Sequence, residues 1–302
     1  MRVFLLAPAL TATLLVAAPG WKSAAPVPLP RTEVAATRLG KSEILVVGGF
    51  VQSGSNVARA DAFSPAKNLW RRLPNLPVSV DHAMAASYRG RAYVVGGYAE
   101  GGGPLARAFV FRGGAWRSLP PMPEPRAAAG AAVAKGSLYV VGGIGPDGLA
   151  TRALKLDLRT LRWSFVPGPP TLREHLAATA LAGKVYAIAG RTGATGNLDA
   201  FEVYTPSKRS WSRLPGVPET RGGTGAAAVG NTIVSVGGEA QETIETVYSY
   251  NVRTRRWSRL PNLPTPRHGL GVVAFNGRVY TLAGGPRPGL FVSSANEYLR
   301  IR

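Results

Sequence analysis

Three histidines stand where their neighbours could make them reactive. His82 follows Asp81, His175 follows Glu174, and His268 follows Arg267. An imidazole beside a carboxylate suits acid–base work. Close by is a recurring set of guanidinium groups: Arg31, Arg126, Arg173, Arg221 and Arg267, with Val80 standing where a sixth is due. Arginine can grip a carboxylate, phosphate or sulfate through two parallel bonds. These ten residues, Asp81 and Glu174 included, are the candidate ligand-binding set. Two structural roles compete with binding: the arginines can brace neighbouring repeats, and the polar residues can cap strand ends. No nucleophile–base–orienter arrangement is legible, so no catalytic residue is assigned. With no cysteine in the chain, thiol catalysis and thiolate metal sites are excluded. No metal site and no cofactor are expected, because His82 and His175 lie two repeats apart.

The elements that must position these residues follow from a repeat. Tryptophan occurs at 21, 70, 116, 163, 211 and 257, at intervals of 49, 46, 47, 48 and 46 residues. Ten residues after each comes the arginine or Val80. A small pair follows: Gly48-Gly49, Gly96-Gly97, Gly142-Gly143, Ala189-Gly190, Gly237-Gly238 and Ala283-Gly284. An apolar residue such as Phe63, Leu156, Tyr204 or Tyr250 then precedes the next tryptophan by seven. A fixed period of this length is the mark of a repeat architecture. Each unit reads as four strands: a Trp-x-x-Leu-Pro strand, a small-residue strand such as 127–133, an apolar strand ending at the small pair, and a partly alternating strand such as 198–204. Proline and glycine fall between them, where turns need them.

Four features recurring in register six times resemble the Kelch repeat, over about residues 21–302. The resemblance implies an all-β, six-bladed propeller with four-stranded blades. The small-residue strand belongs innermost, where a propeller is crowded. The tryptophan strand, rich in arginine, belongs on the outer edge, where charge discourages edge-to-edge pairing. No tryptophan strand follows the last repeat, so Trp21-Lys22-Ser23-Ala24 must supply the outer strand of the last blade, with Trp21 buried. In Kelch proteins ligands usually bind the channel-mouth face. That places the candidate arginines and histidines together at that mouth and implies a non-enzymatic binding module for a protein or an anionic ligand. Bacterial sialic acid epimerases (mutarotases) are similar in architecture, so a carbohydrate-active enzyme using Glu174, His175, Glu239 or His82 is the alternative. Copper radical oxidases share the repeat, but their cofactor needs a cysteine.

The first twenty residues differ from the rest. Arg2 precedes an apolar run over Val3–Ala18, and small residues follow. This reads as a secretory signal peptide over residues 1–18, with a propeller over 19–302 and a secreted or periplasmic destination. No other stretch has the ~20 apolar residues of a membrane span. The net charge is +20, and arginine supplies most of it. Such a surface attracts acidic carbohydrate and other polyanions. Nothing resembles a motif for sequence-specific nucleic-acid binding, and a monomer is expected.

Overall fold

In the computed structural model the described residues are 20–193 and 196–301. The expected signal peptide lies outside them. They form six antiparallel four-stranded sheets. The first blade is Ala35–Leu39, Glu43–Val47, Ala60–Ser64 and Leu69–Arg72 in spatial order. The next four repeat that order. The last is Gly271–Phe275, Arg278–Leu282 and Asn296–Arg300, completed by Lys22–Ser23 from the start of the chain. Lys22 pairs with Tyr298 and Ser23 with Glu297, so the expected closure is present.

The layering follows side-chain size. The innermost strands carry Ala36, Ala85, Ala131, Ala178, Ala226 and Val272 around an axial channel of about 240 Å³. Larger side chains would fill it. The second strands are buried from their second residue on, and Ser137–Val141 along its whole length. Their Val, Leu, Ile and Tyr side chains pack blade against blade, as where Leu45 and Val47 meet Val94 and Phe109. The third strand of blade four begins at Phe201 rather than Leu198. Residues 198–200 instead lead out of a mouth loop, whose Leu198 N–H donates to Gly190 O.

Two sets of bonds tie the blades into a ring. Every tryptophan donates its indole N–H to the carbonyl four residues past the previous tryptophan. Trp116 donates to Pro74, Trp163 to Pro120, Trp211 to Pro167 and Trp257 to Pro215. Trp70 donates to Ala25 and Trp21 to Pro261, which closes the circle. This requires each indole edge to reach the seam, so Trp21 is half-buried rather than buried.

The second set uses the small pairs. The second residue of each pair donates its backbone N–H to the carbonyl at the arginine position of the next blade: Gly49 to Val80, Gly97 to Arg126, and so on to Gly284 and Arg31. A Cβ on Gly97 would lie 2.5 Å from Asp81 O, at a φ of +92°. Glycine is required there both for its conformation and for the close approach.

Candidate functional site

The arginines do not reach the mouth. Arg31, Arg126, Arg173, Arg221 and Arg267 are all 0% exposed. Each donates to the carbonyl of the first residue of its own small pair: Gly48, Gly142, Ala189, Gly237 and Ala283. Each also pairs with a carboxylate near its own blade, respectively Asp61, Glu124, Glu202, Glu219 and Glu297. The expected ring of ligand-facing guanidinium groups is therefore corrected to a ring of internal braces. The physical reason is the small pair: its left-handed backbone turns a carbonyl inward, where a buried acceptor must find a donor.

Two residues after each arginine position, Val80 included, the chain converges on the axis. Glu33, His82, Ala128, His175, Gly223 and Gly269 all take φ between +48° and +61°. Their backbones bond in succession: His82 N–H to Glu33 O, Ala128 to His82, His175 to Ala128, Gly223 to His175 and Gly269 to Gly223. The left-handed conformation costs a non-glycine residue roughly 1–3 kcal/mol. Ala128 shares it, so it is a demand of the repeat and not of the chemistry. At this narrow radius, side chains two blades apart meet. His82 Nε2 lies 2.9 Å from His175 Nε2 and 3.3 Å from Glu33 Oε2. The expectation that two blades separate the histidines too widely is overturned. Room for the meeting comes from the small partners of the ring. A Cβ on Gly269 would sit 2.4 Å from Glu33 Oε1.

A second layer surrounds these three side chains. Asp81 bonds His82 Nδ1, and Glu174 contacts His175 Nδ1. His268 reaches the same cluster, with Nδ1 3.1 Å from Glu33 Oε1 and 3.6 Å from Glu239 Oε2. Arg191 bridges Glu174 at 3.0 Å and Glu239 at 2.6 Å, and its Nη2 lies 3.1 Å from His175 Nε2. Phe50 and Tyr98 stand edge-on to the His82 ring. Glu33, His82 and His175 line a recess of about 100 Å³ on the axis, whose walls continue into the channel through Val34, Ala83 and Leu176.

Sequence reasoning brought Asp81, His82, Glu174, His175 and His268 to the mouth and offered Glu239 as a proton carrier, but it did not single out Glu33 or Arg191. Glu33 shares a repeat position with His82 and His175, so reading that column in full reveals it. Arg191 gave no such signal, being one of the variable residues after a small pair.

The electrostatics separate the histidines. Burial pulls His82 down, but Glu33 and then Asp81 outweigh it and raise its pKa. Burial likewise opposes charge on His268, and the bond to Glu33 raises it. Burial holds His175 at about 3, assisted by His82 and Arg191. Burial pushes Glu33 upward, yet His82, His268 and His175 together hold it well below the usual carboxylate range. Four carboxylates, Glu33, Asp81, Glu174 and Glu239, thus face His82, His268 and Arg191. The mouth is a balanced polar cluster, not an anion trap. Donor atoms of Glu33, His82 and His175 all lie within 4.8 Å of one another, spacing that can hold a metal ion. The reason for expecting no metal site, that two blades keep the histidines apart, therefore falls.

Family models complete the picture. The KLHDC2/KLHL20/DRC7 Kelch-repeats domain matches residues 114–285, and the Kelch motif matches residues 36–77. The chain belongs to the Kelch-repeat family. No curated protein matches it. Kelch propellers are common protein-binding modules. Among the described residues of this one, no helix is long and apolar enough to cross a membrane.

Proposed function

We propose that this Kelch propeller is an exported, non-enzymatic binding module that takes a protein partner on its channel-mouth face. The observation that carries the proposal is an exposed apolar pair in a mouth loop that meets the polar cluster where His268 Nε2 lies 3.0 Å from Arg287 O. Leu290 is 51% and Phe291 40% exposed. Both lie in the mouth loop of blade six, which the Gln52 side chain ties to blade one through Leu290 O. Arg287 packs over the Phe291 ring. An aromatic and an aliphatic side chain beside a polar cluster are the usual anchors of protein recognition. Export rests on the apolar leader at Val3–Ala18.

A photo-crosslinking residue at 291 should capture a defined partner in the exported fraction of the native host. The same residue at position 66, on an opposite-face turn, should not. Phe291→Asp should remove binding of that partner while the melting temperature stays unchanged. Equal capture from both positions defeats the reading. Interconversion of sialic acid anomers, lost in Glu174→Gln, would replace it with the epimerase reading.

A second reading, an acidic carbohydrate or other polyanion as partner, is favoured by the opposite face. There the turns within the blades carry exposed Lys41, Arg89, Lys135, Arg159, Arg209 and Arg255.

A further inference from the structure

We propose that Glu33, His82 and His175 form a binding site for one divalent transition-metal ion of the zinc class, at the propeller axis. The argument starts with the tautomers. Asp81 and Glu174 sit against the Nδ1 atoms of the two rings. A carboxylate accepts and does not donate, so His82 Nδ1 carries its hydrogen; a guanidinium only donates, so His175 Nε2, 3.1 Å from Arg191 Nη2, is the accepting nitrogen and its Nδ1 carries the hydrogen. Each Nε2 is then left with a lone pair, and the two lone pairs point at one another across 2.9 Å. Glu33 Oε2 adds a third electron-rich atom 3.3 Å from His82 Nε2. Arg191 Nη2 stands 3.1 Å from His175 Nε2, but it meets only one of the three converging acceptors. A single proton can serve two of them, while a divalent metal serves all three.

The spacing fits the ion. Bonds of about 2.0–2.1 Å in a tetrahedral shell put neighbouring ligand atoms about 3.3–3.4 Å apart. Small movements of ring and carboxylate supply the difference. Two imidazoles and one carboxylate form a recognised zinc donor set that leaves a coordination position open.

The surroundings also fit. Metal-binding imidazoles almost always donate their other N–H to a carboxylate or carbonyl. Here His82 pairs with Asp81 in this way, and Glu174 lies against His175 Nδ1 without hydrogen-bond geometry; both carboxylates come from the residue just before the ligand. Glu33 is held through its other oxygen by His268 at 3.1 Å. His268 is therefore a positioning residue, and its own Nε2 lies 3.0 Å from Arg287 O. Arg191 Nη2 must leave His175 Nε2 when the ion enters. Its Nε and Nη1 stay anchored on Glu174 and Glu239, so the guanidinium can tilt without losing its place. The ligand side chains are only 11–14% exposed, which keeps bulk water from competing on every side.

The test uses the full propeller, stripped with a chelator and titrated with Zn²⁺ alone by calorimetry. One ion per chain is expected, and saturating Zn²⁺ should raise the melting temperature by mass action. Co²⁺ should give the visible absorption of a four- or five-coordinate nitrogen–oxygen site. His82→Ala and His175→Ala should each abolish that spectrum. Asp81→Asn, which touches no metal, should weaken Zn²⁺ binding by roughly 10–100-fold while leaving the metal-free melting temperature nearly unchanged. If the alanine variants do not fold, His82→Gln and His175→Gln take their place. Zn²⁺ bound equally well by these variants, or no Co²⁺ spectrum in the unmodified protein, overturns the site.

Discussion

At the scale of single residues, five arginines that look available for ligands are spent inside the protein. The cost of removing one depends on the carboxylate it leaves behind. Glu202, partner of Arg173, is 1% exposed, whereas Glu124, partner of Arg126, is 28% exposed and keeps Arg152 as a second partner. Removing one member of a buried pair costs about 3–5 kcal/mol, because a charge stays in a poorly solvating place. Arg173→Ala should therefore lose that much stability in urea unfolding, and Arg126→Ala clearly less. Equal midpoints for the two variants would mean that the braces act only through their carbonyl bonds.

At the scale of elements, the ring is as strong as its closing strand. Lys22–Ser23 is two residues long, yet its flanks contribute more than the strand itself. Trp21 donates to Pro261, Ala24 to Asn296 O, and the Ala25 carbonyl accepts from both Trp70 and Asn296. A single such bond is worth about 0.5–1.5 kcal/mol, but these four join blade six to blades one and five. Deleting residues 20–25 should lower the melting temperature far more than Trp70→Phe, which removes one bond only. Matching melting curves for the two would show that the ring does not depend on its closure.

At the scale of the whole molecule, charge divides between two faces. The channel mouth balances carboxylates against cations. The opposite face repeats a basic turn in blade after blade, and its acidic residues Glu43 and Asp157 are few by comparison. Fields of this kind are screened beyond about 10 Å at 0.1 M salt. Binding to an immobilised sulfated polysaccharide should therefore weaken steeply as salt rises. Charge reversal at Arg253, Arg255 and Arg256 should lower the eluting salt concentration, and Phe291→Asp should not. Equal effects from both changes would remove the division between the faces.

The repeat, read with its resemblance to the Kelch repeat, determined the six blades, their four strands and the closing role of residues 21–24, because each depends on a local pattern recurring in register. It also placed Asp81, His82, Glu174, His175 and His268 at one mouth. Two things were decided only by the tertiary structure. Whether Arg173 faces a ligand or Glu202 depends on which way a side chain turns at the end of a left-handed pair, and both directions are open to the same sequence. Whether His82 can touch His175 depends on the radius at which their strands begin. Residues 93 positions apart meet at 2.9 Å because six blades converge there, with Ala128, Gly223 and Gly269 too small to keep the larger side chains apart.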